Sequence, residues 1–456
     1  MTMPKTAFVV LAAGLGTRMC SRLPKVMHPL AGRPMITHLR ETLETFAPEW
    51  LAVVIGPEMQ AVADAMAPHS AVVQSERLGT GHAVQAARAA LAGFDGDVLI
   101  VYGDTPLLSA ATLAKVLEAR RSPPFPAVVV VGFRPADPCH YGRLVTGADG
   151  SLAAIVEAKD AAPEQLAIGL CNSGVMAVDG RRLFGLLDRI GNANAKNEYY
   201  LTDIVALARA DGLPCGFVEG SEAELLGVNS RGELAAAERR VQDELRARAM
   251  AGGATLIDPQ TVFFSHDTVL GRDVTIEPFV VFATGVRIGD GVTIHSFCHM
   301  LGGAIEDGAE VGPFARLRPG ASVGPGAHVG NFVEIKNARL EPGAKVNHLT
   351  YIGDARIGAK ANIGAGTITC NYDGFFKQHT EIGAGAFIGS NTSLVAPVRI
   401  GAGAIVGAGS VIARDVPDEA LVLTRGPHAE KPAWARQFRE RRSAEKAAQQ
   451  QASRKS

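Results

Sequence analysis

Three groups of residues in this sequence have the types and spacing to do chemistry. The first is Leu11-Ala12-Ala13-Gly14-Leu15-Gly16-Thr17-Arg18-Met19, followed by Pro24-Lys25. Glycines let backbone amides approach phosphate oxygens, and amides at a helix start make an anion site. Arg18 and Lys25 add positive charge. It is not a dinucleotide fingerprint, because Met19 stands where the third glycine belongs. Nor is it a Walker A loop, since no Gly-Lys-Ser/Thr follows. Alone, such a loop serves a structural turn about as often as a phosphate. The second group is Asp104, in Tyr102-Gly103-Asp104-Thr105-Pro106. A carboxylate ending an apolar run suits a hard cation that keeps its waters and phosphates. A capping carboxylate is the alternative. The third is His348, in Asn347-His348-Leu349-Thr350-Tyr351. Imidazole, with an unperturbed pKa of about 6.5, can take a proton from a nucleophile. A lone histidine is more often structural. Arg318 and Lys336 precede it; a lone surface cation is usually just solvated.

The elements that carry these residues fall into two kinds. Up to about residue 231, short β-branched apolar runs (Phe8 to Leu11, Leu51 to Ile55, Val72 to Gln74, Val98 to Tyr102, Val128 to Val131) alternate with helix-like segments such as Gly81 to Leu91 and Ala110 to Arg120. That alternation predicts a doubly wound parallel sheet covered on both faces, with ligands at the carboxyl ends of its strands. The glycine turn and Asp104 both follow such strands. Residues 232–252 read as a charged linker helix, with Leu234, Val241 and Leu245 on one face and Gly252-Gly253 as its stop.

From about 254 the period becomes six. Apolar residues recur at Leu270, Ile276, Phe282, Ile288, Ile294 and Met300. After a one-residue slip they recur at Ile305, Val311, Leu317, Val323, Val329 and Ile335. Further slips give Leu340, Val346, Ile352, then Ile357, Ile363, Thr369. After the interruption 370–379 come Ile382, Ile388, Leu394, Ile400, Val406 and Ile412. Small residues such as Ala309, Ala315, Ala321, Ala361, Ala386 and Ala404 sit four positions after the lattice residue. This predicts a parallel β-helix, three hexapeptides per coil, with 370–379 extruded as a loop. Periodicity alone would leave such a helix as inert scaffold.

Net charge is −1, so neither nucleic acid nor a membrane surface is the expected partner. No signal peptide is expected, because Met1 to Lys5 leads straight into a strand-like run, and no apolar stretch nears a membrane span. The six cysteines are scattered, which fits reduced thiols in a cytoplasm.

Several segments together carry a resemblance. Leu11 to Lys25, Leu78-Gly79-Thr80-Gly81-His82-Ala83 preceded by Gln74, and Tyr102 to Pro106 resemble sugar-1-phosphate nucleotidyltransferases. Arg316-Leu317-Arg318-Pro319-Gly320, Asn331-Phe332-Val333-Glu334-Ile335-Lys336, His348 to Tyr351, Ala361 to Gly366 and Asn371-Tyr372-Asp373-Gly374 follow in order. With the head, these resemble the family of bifunctional N-acetylglucosamine-1-phosphate uridylyltransferase / glucosamine-1-phosphate N-acetyltransferases, over about residues 5–430.

The resemblance implies an α/β Rossmann-like nucleotidyltransferase domain (1–231), the linker helix (232–252), a left-handed parallel β-helix of hexapeptide repeats bearing acetyltransferase (253–427), and a charged tail (428–456). It implies acetyl transfer from acetyl-CoA to glucosamine-1-phosphate, then uridylyl transfer from UTP with release of pyrophosphate. The product would feed peptidoglycan and lipopolysaccharide precursors. Leu11, Ala12, Ala13, Gly14, Lys25, Gln74, Gly79, Thr80, Tyr102, Gly103 and Asp104 would bind the nucleotide. Gly142, Glu157, Asn172, Glu198, Tyr200 and Thr202 would lie on the N-acetylhexosamine side. Asp104 and Asn229, the latter in Gly227-Val228-Asn229-Ser230, would hold Mg²⁺, with Arg18 and Lys25 neutralising phosphate charge. His348 would be the base. Arg318, Lys336, Tyr351, Asn362 and Lys377 would bind the acceptor; Ala365, Asn371, Tyr372, Ser390, Ala408 and Arg425 would bind acetyl-CoA, with the Ala365 N–H as oxyanion donor. A cytoplasmic homotrimer through the β-helix is also implied. One residue departs from the pattern: Arg77 stands where the resemblance implies Gln.

Overall fold

The computed structural model describes residues 5–138, 140–424, 426 and 430–453, with side chains to 448. The chain divides into two compact units. The first comprises Met1–Gly252, Pro259–Thr268 and Phe282–Gly285; the second comprises Gly253–Asp258, Val269–Val281 and Val286–Ser456.

The first unit is built on a twisted sheet. Its main strands are β1 (Thr6–Leu11), β2 (Trp50–Ile55), β3 (Ser70–Val73), β4 (Asp97–Tyr102), β5 (Val128–Phe133), β6 (Cys171–Asp179) and β7 (Cys215–Glu219), in the spatial order β7-β5-β6-β4-β1-β2-β3. Each continuous apolar run splits by alternation between two cores. Ala7, Val9 and Leu11 face one, while Phe8, Val10 and Ala12 face the other. Both faces of the inner strands are therefore covered, which is why those strands show no polar alternation, whereas the edge strand β3 is largely exposed.

The expectation of a purely parallel sheet needs correction. Strand β6 runs antiparallel between β4 and β5. Past Phe133 the chain makes a hairpin (Arg143–Thr146 with Leu152–Val156) and a one-turn helix (Pro163–Leu166), with no long crossover helix. It re-enters with Cys171 opposite Phe133, at the end it left from, so β6 must point back.

The charged helix spans Arg231–Ala251, its first turn capped by the Ser230 hydroxyl, which accepts from Glu233 N. Leu234, Ala237, Val241 and Leu245 pack on Leu30, Ala31 and Met35. Buried Gln242 exchanges hydrogen bonds with the Phe264 backbone in both directions (2.7 and 2.8 Å). This helix is thus an integral layer of the first unit rather than a free spacer.

In the second unit, strands stack in parallel three hexapeptides apart, as in Ile276 on Ile294, Val311 on Val329 and Ile388 on Val406. Of the 254–412 lattice positions, Leu270 alone is not fully buried. The six alanines four positions on are buried as well. Thr369, the polar lattice residue, accepts from Gly353 N (2.8 Å) and donates to Gly353 O (3.1 Å), so its hydroxyl costs little inside the core. The one-residue slips have a structural cause. At Ile335/Leu340 and Ile352/Ile357 a shortened repeat lets one strand run round the corner (Glu334–Leu340, Tyr351–Ile357). Asn337 (φ 43°) and Asp354 (φ 47°) take up the bend and hydrogen-bond each other across the two coils (2.6 Å). The interruption is a small extruded hairpin closed by a Tyr372/Lys377 bridge. The charged tail carries a helix, Trp434–Ser453, exposed as far as residue 448. Among the described residues no helix is long and apolar enough to cross a membrane.

Candidate functional sites

A cavity of about 300 Å³ opens at the carboxyl ends of β1 and β4. Leu11, Ala12, Ala13, Gly14, Lys25, Gln74, Gly79, Thr80, Tyr102, Asp104 and Glu198 all line it. Sequence reasoning did not assign Val26, Ala83 or Arg77, which line it too. Gly103 packs beneath, donating to Leu11 O (2.9 Å). Gly79 is required where it is. Its φ is 117°, and a Cβ there would lie 2.6 Å from Tyr199 O and 2.7 Å from Tyr199 N. Tyr199 N donates to Leu78 O, Gly81 N to Tyr199 O (both 2.8 Å), and Leu201 N to Thr80 Oγ1 (3.0 Å). The Gln74 amide donates to Gly79 O (3.2 Å). These bonds tie the loop to the Tyr199–Leu201 backbone and to Gln74.

Lys25 Nζ forms an ion pair with Asp104 and donates to Asn229 Oδ1 (2.9 Å). Two hard oxygens from distant segments converge on one ammonium. That arrangement fits a small divalent cation held by the same two oxygens. Among the described residues no cluster of three or more His, Cys, Asp or Glu could hold a metal. A cation here would take its other ligands from water and phosphate, as Mg²⁺ does. Arg18 is exposed on the 3-10 turn Thr17–Met19, and it is not part of the cavity wall.

Tyr102 connects the cavity to a second set of groups. Its hydroxyl is pushed far above the ordinary tyrosine range by burial and by the Glu157 and Asp104 carboxylates. Burial likewise raises Glu157, which accepts from Thr202 Oγ1 (3.3 Å). Asn172 N donates to Gly142 O (2.8 Å), and its Oδ1 accepts from Gly174 N (2.9 Å). Buried Tyr200 is pushed up to about 12 by burial and by Asp160, Glu157 and Glu198. Gly142, Glu157, Asn172 and Thr202 thus form one polar wall.

In the second unit, His348 ends the strand Lys345–His348. Its Nδ1 lies 2.7 Å from Asn331 Oδ1, one coil earlier. An amide oxygen only accepts, so Nδ1 carries the proton and Nε2 keeps a free lone pair. Asn331 had been given no role, though its place one coil before His348 was readable from the period. Arg318, Lys336 and Tyr351 lie on neighbouring strands of one face, where Arg318 N donates to Ile335 O and Glu334 pairs with Tyr351. Arg318 is held by Glu334 (2.9 Å). Lys377 of the hairpin lies beside Lys336; a hydrogen bond with that side chain, and then its positive charge, lower the Lys377 pKa. Two lysine side chains side by side offer an anion a pair of cationic donors. Asn362 lies on a different face, beside Lys345. Ala365, Ser390 and Ala408 stack at one corner of successive coils, two residues past Ile363, Ile388 and Val406. Ala365 O accepts from Asn391 N (2.7 Å), and Ser390 O accepts from Gly409 N (2.8 Å). Asn371 is buried and bonded to Asp354, while Tyr372 is exposed with its hydroxyl on Gly374 O (2.6 Å). Arg425 lies outside the described residues.

Residues 8–166 match the MobA-like NTP transferase domain, and residues 267–302 and 379–414 match the bacterial transferase hexapeptide (six repeats), consistent with a left-handed coil. The chain is 63% identical to the bifunctional protein GlmU of Paramagnetospirillum magneticum over 98% of this chain and 99% of the relative. It is 68% identical to that of Rhodospirillum rubrum, over 96% and 98%. It is 54% identical to that of Sphingopyxis alaskensis, over 97% and 98%. A solved UDP-glucose pyrophosphorylase complexed with UDP-glucose aligns over 53% of this chain and 100% of its own, at 18% identity and a TM-score of 0.45. Relatives 54–68% identical over nearly the full length of both chains place this protein in the family of bifunctional GlmU proteins.

Proposed function

We propose that the chain makes UDP-N-acetylglucosamine in two steps, one per unit. The repeat unit transfers acetyl from acetyl-CoA to glucosamine-1-phosphate; the head then joins N-acetylglucosamine-1-phosphate to UTP. The observation that carries this reading is that one chain presents both a Lys25/Asp104/Asn229 convergence in a nucleotide-sized cavity and an oriented imidazole in the same unit as a paired-lysine clamp.

For acetyl transfer, the glucosamine amine attacks the thioester carbonyl. The C–N bond forms, the C–S bond breaks, and His348 Nε2 takes the amine proton and returns it to the departing sulfur, so that CoA leaves as its thiol. Arg318, Lys336 and Lys377 hold the sugar phosphate, with Tyr351 beside them. Ala365, Ser390, Ala408, Asn371 and Tyr372 line the acetyl-CoA path. Asn362 lies on another face of the coil, so we assign it, with the exposed hairpin tip Phe375-Phe376, to the junction with a second copy in a homotrimer. Light scattering on the full chain tests that assembly.

For uridylyl transfer, a sugar-phosphate oxygen attacks the α-phosphorus of UTP and pyrophosphate departs. This in-line chemistry needs positioning and charge neutralisation more than a covalent group. Gln74, Gly79 and Thr80 hold the base, Gly142, Glu157, Asn172 and Thr202 hold the sugar, and Lys25 turns to phosphate. Asp104 and Asn229 would hold Mg²⁺, which supplies neutralisation of phosphate charge. One coupled assay tests the whole: glucosamine-1-phosphate, acetyl-CoA, UTP and Mg²⁺ should yield UDP-N-acetylglucosamine, and omission of acetyl-CoA should abolish it. Formation of UDP-glucosamine when acetyl-CoA is omitted would sink the order of steps.

A further inference from the structure

Arg77 is the residue that departs from the family pattern, and it lines the nucleotide cavity. Its Nε–H donates to Ala13 O, in the glycine-rich turn, at 2.7 Å. Its guanidinium lies over Gly56, the residue after β2, so closely that a Cβ on Gly56 would run into Nη2 and sit 3.1 Å from Cζ. The next nearest atom to that Cβ is Ala13 O, at an ordinary 3.4 Å. A side chain at position 56 would therefore displace the guanidinium.

A peptide unit is planar and trans. Fixing the Ala13 carbonyl therefore also fixes the direction of the Gly14 N–H, in the cavity wall. A charged donor makes a stronger hold than a neutral amide would. We propose that Arg77 is a positioning residue for the nucleoside triphosphate: it locks the Ala13–Gly14 peptide so that the Gly14 amide faces the phosphates, and ties that turn to the base loop that begins at Leu78. This rests on the reading of the cavity as the UTP site.

The test is a mutant cycle on the full-length enzyme. Arg77→Ala should raise KM for UTP about tenfold, the scale of one hydrogen bond to a charged group. It should change kcat by less than about twofold. Acetyl transfer, measured on the same sample, should be unchanged. Gly56→Ala should copy this phenotype by displacing the guanidinium, and the double variant should be no worse than Arg77→Ala alone. A loss of folded head would lower kcat and leave KM alone. An unchanged KM in Arg77→Ala, or additive effects in the double variant, would overturn the proposal. Wild-type enzyme that releases no pyrophosphate from UTP and N-acetylglucosamine-1-phosphate would instead remove the nucleotide reading itself, and this inference with it.

Discussion

Asn331 gives a quantitative test of how the repeat unit does chemistry. Its Oδ1 accepts from His348 Nδ1–H at 2.7 Å, which selects the tautomer with Nε2 free. Asn331→Ala removes that bond and no part of the base. The coil itself should persist, because neighbouring Val329 and Gly330 keep the buried positions. One hydrogen bond of this kind is worth about 0.5–1.5 kcal/mol, so kcat/KM for acetyl transfer should fall roughly 2- to 12-fold. His348→Ala removes the base and should cost about 10²- to 10⁴-fold. The double variant should be no slower than His348→Ala, since Asn331 acts only through the ring. Release of the CoA thiol, followed with a thiol reagent, measures all three. Asn331→Ala at the wild-type rate, or a double variant slower than His348→Ala, would refute the orienting role.

Three other outcomes follow from the geometry. Gly79→Ala should abolish most uridylyl transfer while sparing acetyl transfer, because its Cβ would meet the Tyr199 backbone at 2.6 Å; steady-state assays of both reactions check this. Thr369→Val, although more apolar, should lower the unfolding temperature of the repeat unit, since it leaves Gly353 N–H buried and unpaired at about 1–3 kcal/mol; calorimetry of the full chain reads it. The stack Glu277–His295–Glu310 (2.9 and 2.7 Å) sets a pH window. Burial opposes charge on His295, but Glu310 and Glu277 outweigh it and raise its pKa; His295 in turn lowers both carboxylates. Their stabilisation is full between the ordinary glutamate value of 4.5 and the ordinary histidine value of 6.5. It fades as pH falls through the lowered carboxylate values or rises through the raised His295 value. The gap in thermal stability between wild type and His295→Ala should therefore peak inside that window; a flat gap would contradict it.

Much of this was readable because a β-helix writes its core directly into the sequence. Each lattice residue from Ile276 to Ile412 owes its burial to a fixed spacing, and two of the three slips correspond to strands that round a corner. The glycine turn and Asp104 were legible for a related reason, since parallel strands deliver their following residues to one edge. The direction of the Cys171–Asp179 strand was not legible. Its run is as apolar as a parallel strand's, and only the hairpin before it decides which end it enters from. Arg77 was visible as a departure, yet its contacts with Ala13 and Gly56 join three separate segments, which no local pattern encodes. Asn331 lay between these cases: the period placed it beside His348, but its amide orientation depends on the folded coil.

We propose that two independent chemistries share this chain. This is tested most directly by assaying His348→Ala and Lys25→Ala for each half-reaction separately. His348→Ala should lose acetyl transfer and convert supplied N-acetylglucosamine-1-phosphate and UTP at the wild-type rate, and Lys25→Ala should do the reverse. Full-rate acetyl transfer by His348→Ala, or loss of both activities in either variant with the fold intact, would contradict it.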